Sequence, residues 1–402
     1  MKFNLWEDCD KVPLTELLSF VVDNRGKTVP TVPSGHKLIA TNCVTNNTLF
    51  PVYEQIRYLS EETYQTWFRA HPIPGDILFV NKGTPGRVCL VPDPVDFCIA
   101  QDMIALRADE SKIYPKYLFA VLRSREIQQQ IYNTNVGDVI PHFKKQFLDQ
   151  LMIPIPERSI QESIGDLYYV LSLKAERNKM INDNLEQQAQ SYFQELFVDN
   201  ADPEWAIGTI SDLGTVVGGS TPSKAKPEYY TESGIAWITP KDLSINKSKF
   251  VSHGENDITE LGLKNSSAAI MPEGTVLFSS RAPIGYIAIA AGEVTTNQGF
   301  KSVVPKPEIG TPFVYFFLKN TLPVIEGMAS GSTFKEVSGS TMKNVPAVIP
   351  DAETLAKFSD FCAPIFEQQR TLEEQNQSLA KLRDSLLPKL MSGEIDVSAV
   401  QL

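Results

Sequence analysis

The sequence has no apolar run approaching the ~20 residues needed to cross a membrane, and its opening, MKFNLWEDCD, holds no apolar stretch of the kind a secretory signal needs. A cytoplasmic location is therefore expected. Cysteine is scarce: Cys9, Cys43, Cys89, Cys98 and Cys362 are odd in number and scattered, and no pair has the Cys-x-x-Cys spacing of a zinc site. Free buried thiols are expected, and no metal. Histidine is scarcer still, and His36, His71, His142 and His253 are isolated, with no nucleophile at a suggestive spacing. No Pro-Pro pair occurs, which removes the Asn/Asp-Pro-Pro turn with which an adenine methyltransferase holds a flipped base. Gly26-Lys27-Thr28 looks like the end of a phosphate-binding loop, but Val21 stands where that loop requires glycine. Asp93 and Asp96 are followed by no correctly spaced Glu-x-Lys, so a nuclease metal site is not expected there. The chain reads as non-catalytic.

What the sequence does have is a repeat. A helical segment from Glu157 to Val198 recurs 194 residues later, from Asp351 to Ser392, and each follows a proline-closed strand, MIPIP before the first and AVIP before the second. At that shift Ile164 meets Phe358, Leu167 meets Phe361, Leu171 meets Ile365, Leu185 meets Leu379 and Tyr192 meets Leu386. Apolar residues at three-and-four spacing, Ile164, Leu167, Leu171, Ile181, Leu185 and Tyr192 in the first copy and Phe358, Phe361, Ile365, Leu372, Leu379, Leu382 and Leu386 in the second, predict a seam along which the two helices pair. Gln368 and Gln375 interrupt it in the second copy, and Lys174, Asn178 and Gln188 in the first, which sets register at a cost in stability. Pro364 is expected to kink the second helix or delay its start, and Pro388 to disturb its last turns.

The segments between the helices repeat as well. EGTVLFSSRAPIG, from Glu273, lies over PGDILFVNKGTPG, from Pro74, pairing Gly75 with Gly274, Phe79 with Phe278, Lys82 with Arg281 and Gly86 with Gly285. HKLIAT, GDILFV, RVCLV and FCIAQDMIAL predict strands, and Pro115 to Ile131 a helix. The expected architecture is mixed α/β: a domain over 1–156, a long helix over 157–198, a second domain over 199–350, a second long helix over 351–392 and a tail over 393–402. If the helices pair antiparallel, a pseudo-two-fold relation turns the heads about half a turn from each other, which suits the antiparallel strands of duplex DNA. The net charge of -11 does not oppose this reading, because 1–156 carries 16 basic against 17 acidic residues and 199–350 carries 12 against 15. A polyanion then requires local clusters of Lys and Arg, or a basic partner.

GGSTPSKAKPEYYTESGIAWITPKDL from Gly218, FSSRAPIGYIAIAAGEVTTNQGFKSVVP from Phe278, LAKLRDSLLPKLMSGEI from Leu379 and IPIPERSIQESI from Ile153 resemble the specificity subunit of type I restriction-modification systems, and the likeness covers essentially the whole chain. The resemblance implies two target-recognition domains on two long helices, each domain reading half of a bipartite DNA site. It implies two methyltransferase subunits, which would use S-adenosylmethionine to modify adenine, together with nuclease-translocase subunits, and no cofactor in this chain. The first domain departs from the pattern, with Cys43 where the second has Asp242 and VNKG in place of SSRA; the second helix lacks a match to Gln161. The rival readings are a structural adaptor that dimerises partners through the helical pair, and a nuclease.

Base edges are read by Arg, Lys, Asn, Gln, Ser and Thr, and phosphates by Lys, Arg and backbone N–H groups. In the second domain these criteria select the basic, aromatic loop of Thr221, Ser223, Lys224, Lys226, Tyr229 and Tyr230, with Lys241. They also select Ser279, Ser280 and Arg281 before a Pro-Ile-Gly turn, Asn297, Gln298 and Lys301 in TTNQGFK, and Ser330, Ser332, Thr333 and Lys335 in a small-polar loop. In the first domain the candidates are Arg25, Lys27, Asn42, Lys82, Arg87, Gln101, His142, Lys144 and Lys145. Trp237, Phe278 and Phe79 lie inside apolar runs and are expected in the core.

Overall fold

The computed structural model describes residues 4–24, 28–134, 140–331 and 335–395, and the chain divides into two compact units, 1–178 with 375–402 and 179–374. In the first unit Leu18–Val22, Met103–Ala108, Ile77–Val80 and Val88–Leu90 form one antiparallel sheet in that order. Arg57–Leu59, His36–Ile39 and Phe97–Ile99 form a second, whose last pair is parallel. Lys11–Pro13 pairs with Met152–Pro154 immediately before the first long helix. The apolar run Ile77–Val80 is buried on both faces, and Phe79 meets Phe143 at 5.6 Å between ring centroids. Tyr117 and Phe119 fill the same core, which Leu387, Leu390 and Met391 of the second long helix complete.

The second unit repeats this plan. Gly214–Gly218, Lys301–Pro305, Val276–Ser280 and Ile284–Ala290 form the antiparallel sheet, extended by a parallel edge strand, Phe250–Val251. Tyr230–Thr231, Asn256–Ile258, Ile235–Ile238 and Thr295–Thr296 form the second sheet, again with a parallel last pair, and Ala206–Thr209 pairs with Pro346–Ile349. The glycines that the sequence repeat aligned adopt the same left-handed backbone, at φ +85° and +83° for Gly75 and Gly274 and +87° and +93° for Gly86 and Gly285. Residues with a Cβ are strained there, so the two turns impose the same choice twice. Phe193 of the first long helix lies 5.8 to 5.9 Å from Phe313, Phe316 and Phe358, so the core of this unit is built on the helices too. Trp237 and Phe278 are buried, as their apolar surroundings require.

The long helices run Arg158–Gln194 and Ala352–Met391. In the first unit Tyr168 faces Arg383, Asn376 donates to the Ala175 carbonyl at 3.2 Å and Asn178 bonds Gln375 at 3.2 Å. In the second, Gln369 donates to the Asn182 carbonyl at 3.2 Å and the Tyr192 ring packs at a tilt against Phe361, 4.5 Å between centroids. Within each unit one residue number rises as its partner's falls, so the pairing is antiparallel. The 194-residue shift carries Asn182 onto Asn376 and Ala175 onto Gln369, so the same pair of positions meets in each unit, with the donor at Asn376 in one and at Gln369 in the other.

Several details depart from the sequence reading. Ile181 and Leu382 are 42% and 46% exposed, Phe361 is 39% exposed although it meets Tyr192, and positions facing the partner helix also include Phe193, Gln369 and Arg383. A strict heptad does not hold, because each helix turns part of its apolar face onto a head. Of the polar interruptions, Asn178 is buried, whereas Lys174, Gln188 and Gln368 are exposed. The helix continues through Pro364 and Pro388, both on its exposed side, where water can solvate the carbonyl that a proline leaves unpaired. FCIAQDMIAL is two strands, separated by a turn with Asp102 at φ +76°. The helix expected over 115–131 is two, Pro115–Leu122 and Arg125–Thr134. Arg123 breaks it by reaching the carbonyls of Thr45 and Val88, at 3.2 and 2.7 Å, and Ser124 caps the restart.

Candidate nucleic-acid interface

In the second unit a cleft of about 560 Å³ gathers Thr221, Lys224, Tyr230, Lys241, Asn297 and Gln298. Two backbone stretches form it by touching. The Ser220 N–H donates to the Thr296 carbonyl at 2.9 Å, and a Cβ added at Gly219 would lie 2.0 Å from the Asn297 carbonyl oxygen. Trp237 supports the wall from below, donating from Nε1 to the Ser220 carbonyl at 3.0 Å, with Tyr230 edge-on to it at 5.6 Å. The Tyr230 hydroxyl donates to the Pro222 carbonyl at 2.6 Å, and Thr221 hydrogen-bonds Gln298 across the cleft. Opposite, Asp242 accepts from the N–H of Thr239 at 2.7 Å and of Glu255 at 2.8 Å, which fixes the helix Pro240–Ile245 that carries Lys241. Cys43, at the matching position of the first unit, donates where Asp242 accepts: its thiol and the Asn42 amide both reach the Glu54 carbonyl.

The cations around this cleft are tied to acids. Lys241 pairs with Glu255 at 2.5 Å, Arg281 with Glu336 at 3.4 Å and Lys301 with Glu336 at 3.8 Å. Burial pushes the Lys301 ammonium down, and Glu336 only partly offsets this. Lys301 also donates to the Gln298 carbonyl at 3.4 Å, so the Arg281 group adjoins the cleft. Lys335 is exposed beside Glu336, and Ser330 pairs with Glu336 through its backbone.

Four expected contacts are corrected. Ser279 and Ser280 are fully buried strand residues whose hydroxyls donate to the carbonyls of Pro283, at 2.9 Å, and Gly299, at 3.1 Å. Small hydroxyls at a strand end satisfy the backbone around them and have none left for a ligand. Tyr229 is buried, and Lys226 donates to its hydroxyl at 3.0 Å, which takes this pair away from the cleft. Ser223 is exposed on the same loop. Ser332, Thr333, Arg25 and Lys27 lie outside the described residues.

In the first unit His142, Lys144 and Lys145 line a cleft of about 630 Å³ together with Asn81 and Gln146. Lys82 bridges to His142 through the backbone and sits 3.8 Å from Asp102, next to the exposed Gln101, while Lys145 pairs with Asp23 at 3.0 Å. Asn42 and Arg87 do not line this cleft. Sequence reasoning missed Asn81, Gln146, Thr239 and Asn256. For Asn81 the signal was present in the mismatch of VNKG with SSRA. Among the described residues no cluster of three or more His, Cys, Asp or Glu is placed to hold a metal ion, and no helix is long and apolar enough to cross a membrane.

Two mixed α/β units of one topology, each built on part of the same antiparallel helix pair and each opening a polar cleft, define a duplicated recognition protein. The family profile described as "Type I restriction modification DNA specificity domain" matches residues 29–187 and 203–381. The chain belongs to that family, as a non-catalytic DNA-specificity subunit of a type I restriction-modification system. It is 37% identical over 195 residues to the type I restriction enzyme MjaIX specificity subunit of Methanocaldococcus jannaschii, covering 48% of this chain and 45% of that one. To the HindI specificity subunit of Haemophilus influenzae it is 23% identical, over 80% of this chain and 86% of that one. The chain thus spans about half the length of the first relative and most of the second. The crystal structure of a type I restriction-modification S subunit from M. genitalium matches with a TM-score of 0.60 at 18% identity, over 97% of this chain and 98% of that one, which shows a shared fold.

Proposed function

We propose that this chain reads a bipartite site in duplex DNA, one half-site per unit, and directs adenine methylation or restriction by its partners. The recognition domains are 1–156 and 199–350, the helices 157–198 and 351–392 separate them, and 393–402 is a tail. The observation that carries the reading is the cleft of the second unit, where an amide pair, a hydroxyl, two lysines and a tyrosine converge on one opening. Asn297, Gln298 and Thr221 supply the donors and acceptors that distinguish base pairs, while Lys224, Lys241, Arg281, Lys301 and Lys335 hold phosphates. In the first unit His142, Lys144, Lys145 and Lys82 play the corresponding part, with Gln101, Asn42 and Arg87 as further contacts outside the cleft. Two methyltransferase subunits, which bring S-adenosylmethionine, and nuclease-translocase subunits complete the assembly, in the cytoplasm.

Because Glu255 and Glu336 neutralise three of the cations, DNA must displace these pairs before the lysines and arginine can meet phosphate. The chain alone therefore binds weakly, and partners supply the remaining contacts. Titrating a labelled duplex carrying the recognised site, with and without the methyltransferase subunits, tests this. Tight sequence-specific binding requires the subunits. Equally tight and specific binding by the chain alone would contradict the proposed division of labour.

A further inference from the structure

Asn81 stands out in the first unit. It is 5% exposed, it lines the cleft with His142, Lys144, Lys145 and Gln146, and its side-chain oxygen has no hydrogen-bond partner among the described residues. Its backbone is fully used, the N–H donating to the Asp102 carbonyl at 3.0 Å and the carbonyl accepting from Phe143 at 2.8 Å. The same backbone pattern recurs at Ser280, whose N–H donates to Gly299 at 2.7 Å and whose carbonyl accepts from Val337 at 3.0 Å. The two residues hold equivalent places in the repeat. Their side chains differ in one respect: the Ser280 hydroxyl is satisfied by the Gly299 carbonyl at 3.1 Å, whereas the Asn81 side-chain oxygen finds no such partner.

A buried acceptor without a hydrogen bond is costly and rare. The fold does not demand the amide, because a serine fills the equivalent place with every polar atom paired. Rotation about the terminal torsion of asparagine exchanges its carbonyl and amino ends, so either can be turned to a ligand in the cleft. Lys144 and Lys145 at the same opening provide charge for a phosphate backbone.

Resting on the reading of the first unit as a DNA-recognition head, we propose that Asn81 determines specificity in its half-site by pairing its amide with the N6 and N7 edge of an adenine in the major groove. Asparagine matches that donor–acceptor pair, and no other base offers it in the same arrangement. Serine at the equivalent place leaves the second unit without this contact, so the two heads read their half-sites differently.

The test uses the full chain assembled with its methyltransferase subunits, with Asn81→Asp and Asn81→Ser compared with the unaltered chain. Asn81→Asp preserves shape and removes the donor; Asn81→Ser copies the residue that the second unit carries at the equivalent place, and gel filtration of each complex confirms assembly before methylation is scored. Methylation is then scored across a duplex library randomised at each position of both half-sites. One base position in one half-site is expected to lose its adenine preference by roughly 5- to 150-fold, with the other half-site unchanged. A motif identical to that of the unaltered chain in the assembled variants, or a loss that is uniform over all sequences, would overturn the assignment. If the unaltered complex itself shows no bipartite motif, the failure lies with the recognition reading and not with Asn81 alone.

Discussion

Replacing Glu186 by glutamine probes how the second head is fixed to its helices. Glu186 lies on the first long helix and meets Lys249 at 2.8 Å, with Lys319 and the Tyr315 hydroxyl at its other oxygen. Lys249 is buried, donates to Gln369 at 2.9 Å and sits 3.5 Å from the centre of the Phe366 ring. Its neighbouring backbone is held as well, since Glu373 accepts from the N–H groups of Lys249 and Phe250. Burial raises the Glu186 carboxyl, but the ammonium groups of Lys249 and Lys319 outweigh it and hold the group down at about 2. Relative to the ordinary value of 4.5, this shift corresponds to roughly 3 kcal/mol of stability. The folded value is lowered, so this contribution is complete above pH 4.5 and disappears as pH falls towards 2. Removing one partner of a buried pair costs a similar amount, about 3 to 5 kcal/mol, because the remaining charge stays buried.

Glu186→Gln should therefore lower unfolding stability at pH 7 by about 3 kcal/mol and flatten the acid limb between pH 4.5 and 2. Burial already pushes Lys249 down to about 8. Without the carboxylate it falls further, so between that value and the ordinary 10.5 the unfolded chain binds the extra proton and the variant gains stability as pH rises from 7 to 9. Replacing Lys249 by methionine in the same chain should recover much of the loss. Urea unfolding at several pH values, with hydrogen exchange resolved to peptides of 179–194 and 249–251, measures this. Stability within 1 kcal/mol of the parent together with an unchanged acid profile would refute the assignment.

Gly219→Ala should disrupt the second cleft, because its Cβ would meet the Asn297 carbonyl; preference is expected to fall in one half-site only, as read by methylation of paired half-site libraries. Glu336→Gln releases Arg281 and Lys301 and should tighten DNA binding at low salt, steepening the logarithmic salt slope by about 1 to 2, measurable by fluorescence anisotropy. Alanine at Lys224 and Lys241 together should weaken binding to all sequences alike while leaving partner assembly intact by gel filtration. Phe193→Ala removes a ring that contacts four others and should cost about 3 to 5 kcal/mol, read as a lower Tm of the second unit.

The architecture was legible because duplication writes each constraint twice. Gly75 and Gly274 were aligned by sequence alone, and both occupy a backbone region that strains most other residues; the proline-closed strands before Glu157 and Asp351 mark where both long helices begin. The helix seam was less legible, since Gln369 and Arg383 are buried beside the exposed Gln368 and Leu382. A helix that serves both a partner helix and a head has no single apolar face. Cleft residues were read by chemical type, which finds Asn297, Gln298 and Lys224 but cannot tell an outward serine from one like Ser279 that closes its own backbone. That difference depends on which carbonyl lies nearby, here that of Pro283 in the turn that follows Ser279, a property of the local backbone path and not of residue type.

The most direct measurement is the map of methylated adenines in DNA from cells that express this chain with its methyltransferase subunits, compared with cells expressing the Lys224→Ala, Asn297→Ala, Gln298→Ala chain. Two short specified sequences separated by an unspecified spacer are expected, with only one of them degraded by the substitutions. A single uninterrupted motif, or a methylation pattern indifferent to those three side chains, would contradict the account.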